Sequence, residues 1–172
     1  NALLYAHSLF YFASIGILLW RAQQDGFGMS VILGGLSVGI VGGISGIINA
    51  HESGHRKKRS MIWRLARINL FLVLYSHFTT EHNHGHHKNY ATVLDPASSP
   101  AGRGLWTQIV MTIPRQYKSA WSTHSKKGKT GLRNPILHGT VLQIVFLALL
   151  LQISTSVPVS YTHLTLPTTS FV

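Results

Sequence analysis

The stretch HESGHRKKRSMIWRLARINLFLVLYSHFTTEHNHGHH, residues 51–87, contains seven of the eleven histidines in this 172-residue chain. Its first two histidines, His51 and His55, are four residues apart. On a helix their side chains lie one turn apart on the same face, where both can bind one metal ion. The helix that carries them is predicted to extend an apolar run, so this pair is expected just outside the membrane surface.

The second group of histidines repeats this spacing. His82 and His86 are four residues apart, and the adjacent His87 points about 100° away from His86 on a helix. His84 lies on nearly the opposite side of the same helix, so we predict that it is exposed and is not a ligand. The predicted metal ligands are therefore His51, His55, His82, His86 and His87.

Three long apolar runs without formal charge surround this stretch, at residues 2–20, 27–49 and 136–153. Each is long enough to cross a hydrocarbon core of about 30 Å as a helix. The predicted fold class is therefore all-α, a polytopic membrane protein whose histidine groups form a cap outside the spans. Glycines at four-residue spacing predict close helix packing in the second span: Gly35, Gly39 and Gly43, with Gly42 and Gly46.

The basic residues predict the orientation of the chain. Residues 56–59, Arg64 and Arg67 follow the second span, and such an excess of positive charge predicts a cytoplasmic location. Residues 68–78 are apolar but too short to span, so we predict an interfacial helix that leaves both histidine groups on the cytoplasmic side. Residues 88–134 are polar and basic, and are predicted to form a cytoplasmic cap with an amphipathic helix at 105–121, broken near Pro114.

The amino-acid composition argues against several other classes of protein. The formal charge is +11, but the apolar residues gather in long blocks, which is typical of a membrane protein in contact with lipid and not of a nucleic-acid-binding protein. Cysteine is absent, so there are no disulfides or thiolate ligands. Residues 157–172 contain no charge and many Thr and Ser, so they are predicted to be an unrelated or disordered tail.

The residues alone leave three kinds of function open. HExxH at 51–55 is found in zinc proteases, but that interpretation explains only one of the two groups. Several imidazoles suit a redox-active ion such as iron at least as well as zinc, and five suggest two ions. A non-enzymatic, histidine-rich membrane metal-binding protein is the third alternative.

Three segments carry a resemblance to a known family. HESGH at 51–55, EHNHGHH at 81–87 and ATVLDPASS at 91–99 resemble the first two histidine boxes and adjoining segment of the membrane alkane 1-monooxygenases. These belong to the fatty acid desaturase and hydroxylase superfamily. The resemblance implies that residues 1–156 are a partial membrane hydroxylase domain with a non-haem centre of two iron ions. It assigns the five histidines above as iron ligands, and Glu52 and Glu81 as groups that orient them.

The resemblance also implies an activity and its partners. The family hydroxylates the terminal methyl of alkanes with dioxygen and electrons from rubredoxin, in the bacterial inner membrane. The implied substrate is a hydrophobic alkane or a fatty-acyl group. The nearest alternative is a related membrane fatty acid desaturase or hydroxylase, or a xylene-type monooxygenase, that acts on another hydrophobic substrate. The family's later histidine boxes, similar to NYxEHYG and LQRHSDHH, are not found in this sequence. The chain is therefore expected to be a fragment without activity of its own.

Overall fold

The computed structural model describes residues 2–26 and 28–165, and all regular structure within them is helical. The α-helices are α1 (Ala2–Asp25), α2 (Met29–Val41), α3 (Ile47–Gly54), α4 (Met61–Leu72), α5 (Phe78–Glu81), α6 (His87–Asn89), α7 (Leu105–Ser125) and α8 (Pro135–Thr165). Gly42–Gly46 and His82–His86 are π-helical turns, and Gly131–Arg133 is a 3₁₀ turn. The predicted all-α fold class is confirmed.

Three of these helices are long and apolar enough to cross a membrane: Ala2–Asp25, Met29–Gly54 and Pro135–Gln152. They correspond to the predicted spans 2–20, 27–49 and 136–153, and the first two continue beyond the apolar run at their carboxyl ends. The second consists of α2, a π-helical turn and α3 in succession. The protein is therefore a polytopic membrane protein, as predicted.

The chain divides into two compact units, one formed by Asn1–Asn69 and Gln143–Val172 and the other by Leu70–Leu142. In the first unit, α1 and the second span pack closely at Gly42. A Cβ atom on Gly42 would lie 2.7 Å from the Tyr11 hydroxyl, so only glycine allows this approach. Among the described residues, a Cβ atom on Gly35, Gly39 or Gly43 would meet nothing within 4 Å, so close packing at these three glycines stays a prediction.

A buried polar network fixes α3 against α1 in the same unit. The Asn49 amide nitrogen donates hydrogen bonds to the Leu4 carbonyl and the Ser8 hydroxyl, both at 2.9 Å. Ser53 donates to the Asn49 side-chain oxygen at 3.1 Å, and Asn69 donates to Ser8 at 2.9 Å. Because buried polar groups are costly unless they are paired, this network specifies which face of α3 turns inward.

In the second unit, the chain turns sharply after α4. The Tyr75 N–H donates to the Leu70 carbonyl at 2.8 Å and the Leu74 N–H donates to the Phe71 carbonyl at 3.1 Å. Leu74 has a positive φ of 58°. These are the bonds and backbone conformation of a Schellman motif, which ends a helix. The helix predicted at 68–78 is thus wrong in its bounds, since α4 begins at Met61 and ends at Leu72. Its interfacial position stays a prediction.

The predicted break near Pro114 is also wrong. The helix α7 runs through Pro114 from Leu105 to Ser125. Proline removes one backbone donor and favours a kink, but here it does not end the helix.

The last helix begins where the sequence predicts. The Asn134 side-chain oxygen accepts a hydrogen bond from the Ile136 N–H at 3.0 Å, and Pro135 occupies the first helical position. Both are favoured helix-start residues. The helix continues to Thr165, into the predicted tail, and residues 166–172 of that tail lie outside the described residues. The unrelated origin of the tail stays a prediction.

Candidate metal centre

The first histidine pair lies at the carboxyl end of α3. Asn49 and Ser53 point inward, and on a helix His51 and His55 fall on nearly the opposite side from these two. The His51 and His55 rings meet edge to face with centroids 5.0 Å apart, and a ring nitrogen of each lies within 4.8 Å of the other. Nitrogens bound to one ion at about 2.1 Å can be up to about 4.2 Å apart, so the pair fits a shared ion after at most a small ring rotation.

The second histidine group is shaped by a π-helical turn, which the sequence did not predict. A π-helix bonds residues five apart, so His82 comes to lie one turn from His87 as well as near His86. The Nε2 atoms of His82 and His87 are 2.9 Å apart. The His82 and His86 rings stack with centroids 5.2 Å apart. The turn therefore places the His82 ring next to the rings of both His86 and His87. His84 is exposed, as predicted.

Asp95 orients His86, and this role was missed in the sequence. The His86 Nδ1–H donates to the Asp95 carboxylate at 2.9 Å. Burial would raise the pKa of Asp95, but hydrogen bonds from Ser98, the Ala97 N–H and His86 lower it below its usual value. The ionised carboxylate holds the proton on Nδ1 and leaves Nε2 as the atom able to bind a metal. Asp95 begins the DPASS part of the segment at 91–99, whose acidic residue was given no role from the sequence.

The two carboxylates predicted to orient histidines have different surroundings. Glu52 is exposed and pairs with Arg56 at 2.8 Å, one turn along the chain. Glu81 is only 1% exposed, and burial together with the charge of Asp95 raises its pKa, which Ser119 and His86 offset only in part. Their predicted role stays a prediction.

Gly85 makes room for the buried Glu81 carboxyl. A Cβ atom at Gly85 would lie 2.3 Å from the Glu81 Oε1 atom and 2.9 Å from the Ser119 hydroxyl oxygen. Glycine usually disfavours a helix interior. The structure instead makes it the residue that lets the π-helical turn pack directly on α7.

A buried aromatic cluster supports this turn from α5. The His77 ring lies 4.6 Å from the Tyr75 ring and 5.3 Å from the Tyr117 ring, and His77 is 7% exposed. Burial lowers the pKa of His77 to about 4, so its imidazole is neutral at pH 7. The Tyr75 hydroxyl donates to the Gln116 side-chain oxygen, and burial with the charge of Glu81 raises the pKa of Tyr75 to about 12.

Comparison with known proteins agrees with this arrangement. The model of the fatty acid desaturase family matches residues 28–170. Alkane 1-monooxygenase 1 of Alcanivorax borkumensis is 35% identical over 148 residues, which cover 82% of this chain and 36% of that protein. Alkane 1-monooxygenase of Pseudomonas putida is 35% identical over 147 residues, covering 82% of this chain and 36% of the relative. Alkane 1-monooxygenase of Ectopseudomonas oleovorans is 33% identical over 149 residues, which cover 83% of this chain and 37% of that protein. The chain thus spans little more than a third of the length of these relatives, and its resemblance to them is confirmed.

Proposed function

The chain belongs to the fatty acid desaturase family, and we propose that it forms part of a monooxygenase that hydroxylates the terminal methyl group of alkanes. The observation that carries this proposal is the pair of histidine groups, one at the end of a membrane span and one gathered by a π-helical turn. The relatives named above are alkane 1-monooxygenases, which favours an alkane as the substrate.

The donor set fits an iron centre. Every proposed ligand is an imidazole, and the sequence contains no cysteine. Imidazole suits several transition metals, and oxidation by dioxygen needs one that changes its redox state, which zinc does not. We therefore propose two iron ions, held in part by His51, His55, His82, His86 and His87. The bound iron supplies the redox chemistry that activates dioxygen.

The chain's own residues orient these ligands and keep bulk water away from the substrate. Asp95 fixes the His86 ring through Nδ1, and partners of this kind typically change metal affinity by a factor of about 10–100. The apolar spans supply an environment in which an alkane dissolves and from which bulk water is excluded. Glu52 and Glu81 are proposed to orient neighbouring imidazoles.

The proposed partner is a rubredoxin-type electron donor that meets the protein at the cytoplasmic surface of the bacterial inner membrane. The basic residues after the second span favour a cytoplasmic location for both histidine groups. Single cysteines can be placed at Lys58 and Lys126 because the native chain has none. Labelling of both by a membrane-impermeant reagent from the same side is expected, and labelling from opposite sides would contradict this topology.

Metal binding tests the site directly. His86→Ala is expected to lower the amount of iron bound by the purified chain. His84→Ala is expected to leave it unchanged, because residue 84 falls on nearly the opposite side of a helix from His82 and His86. Equal loss of iron in both variants would refute the ligand assignment.

Activity is tested in a chimaera, because this chain covers only 36% of the Alcanivorax relative. Residues 1–156 replace the matching region of that protein, and membranes are supplied with alkane, dioxygen and a reducing system. Terminal alcohol that disappears with His86→Ala supports the proposal. Reaction only with fatty-acyl substrates would favour a desaturase or hydroxylase of that class, and bound iron without any product would favour a metal-binding protein.

A further inference from the structure

The helix α7 carries an apolar stripe that its own unit leaves uncovered. Five large apolar side chains in its first half are exposed, by 39% to 79% of their area. At about 100° per residue they fall within an arc of about 140° on one side of the helix. They are Leu105, Trp106, Ile109, Val110 and Ile113.

The stripe continues a face that is buried in the second half of the same helix. Gln116 is 5% exposed and Ala120 is fully buried, and both lie within the same arc. The first half is held from a different side, where Gln108 donates to the Ala97 carbonyl at 3.4 Å and Thr112 donates to the Pro96 carbonyl at 2.9 Å. These contacts fix the rotation of α7 about its axis, so the exposed stripe is a constant feature of the unit.

The opposite side of α7 is cationic. Arg115 and Lys118 are exposed there, each about 150° around the helix from the middle of the stripe. Glu81 and Asp95 are the two acidic residues of the unit, and both are buried. An apolar side that includes tryptophan, opposite a basic side, is the pattern of a helix that lies in a membrane interface.

We propose that the first half of α7 lies in the bilayer interface, with its apolar stripe against the lipid. The bilayer is the apolar partner already present around every copy of this membrane protein. Nine residues separate the end of α7 from the span Pro135–Gln152, which limits the distance between them to about 30 Å. Because α7 also contacts His77 and Gly85, this attachment holds the turn His82–His86 at the membrane surface.

Fluorescent probes at single cysteines test this proposal in the full chain in lipid nanodiscs. Val110→Cys places the probe on the stripe, and Lys118→Cys is the matched control on the basic side of the same helix. Both positions are exposed, and the native chain has no cysteine. An environment-sensitive dye on each is exposed first to nitroxide-labelled lipid and then to aqueous iodide.

The expected result is a blue-shifted dye at position 110 that loses emission to nitroxide lipid but not to iodide, with the reverse at position 118. Ile109→Cys repeats the measurement on the stripe and guards against a local effect of the first substitution. Quenching at 110 by iodide would overturn the proposal, because the stripe would then face water. Protection from both quenchers would also overturn it, because a second copy or another protein segment would then cover the stripe. Lipid quenching at both 110 and 118 would overturn the assignment of one face.

Discussion

The buried imidazole of His77 makes the stability of the protein depend on pH. His77 is 7% exposed between Tyr75 and Tyr117, and burial lowers its pKa to about 4. The unfolded chain, in contrast, protonates this group near its ordinary pKa of about 6.5. Between these two values the unfolded state binds more protons than the folded state, so stability falls as the pH falls. The contribution of neutral His77 to the unfolding free energy is fully present above about pH 6.5 and is lost as the pH approaches 4.

The size of this effect follows from the two pKa values. A difference between 6.5 and about 4 corresponds to about 3 kcal/mol of unfolding free energy, of which about 2 kcal/mol is lost between pH 7 and pH 4.5. His77→Phe keeps an aromatic ring between the two tyrosines and removes the titrating group. The unfolding free energy of this variant is therefore expected to fall by about 2 kcal/mol less than that of the native chain between pH 7 and pH 4.5.

Unfolding of the metal-free protein in mixed micelles, followed by fluorescence of its four tryptophans, measures the difference. His84→Ala is the control, because it removes an exposed histidine and should keep the native pH dependence. The contributions of other titrating groups cancel when the unfolding free energy of the variant is subtracted from that of the native chain. If His77→Phe loses as much stability on acidification as the native protein, the imidazole is not held neutral by burial.

Three further outcomes are expected. Asp95→Asn should weaken metal binding by a factor of about 10–100 in a competition titration, because the carboxylate that orients His86 is lost. Glu52→Gln, which removes an exposed carboxylate, should weaken metal binding less. A larger loss with Glu52→Gln than with Asp95→Asn would contradict the role of Asp95. Gly85→Ala should destabilise the chain by about 1–3 kcal/mol in denaturant unfolding, because its Cβ overlaps a buried carboxyl. Gly43→Ala, in the other π-helical turn and with open space around its Cβ, should not destabilise it; equal stability of the two variants would argue against the close packing at Gly85. Lys126→Glu should slow association with an acidic electron carrier and reduce its dependence on salt in stopped-flow measurements, whereas contact with lipid alone predicts no change.

The membrane-spanning helices could be predicted from the sequence because hydrophobicity is a property of composition. The apolar runs at 2–20, 27–49 and 136–153 match the three helices capable of spanning. The start of α8 was equally visible, since asparagine is favoured at the N-cap of a helix and proline at its first position.

Other helix boundaries depended on contacts made by distant residues. A Schellman motif usually has glycine at the position with positive φ, but here it has Leu74, so its local sequence has no such signal. Pro114 usually indicates a break, yet α7 continues through it. Neither boundary follows from local residue preferences, which tertiary context commonly overrides.

The sequence by itself indicated metal binding, because histidines at four-residue spacing share a helix face in any fold that keeps the segment helical. The tertiary structure alone decided the distances between these histidines and their hydrogen-bond partners. The π-helical turn brings His87 to 2.9 Å from His82, and it fits only because Gly85 has no side chain against the Glu81 carboxyl. The pairing of Asp95 with His86 likewise requires the loop between them to fold back. Spacing along the chain defines which side chains can share a face, but only packing determines which polar groups meet across a loop.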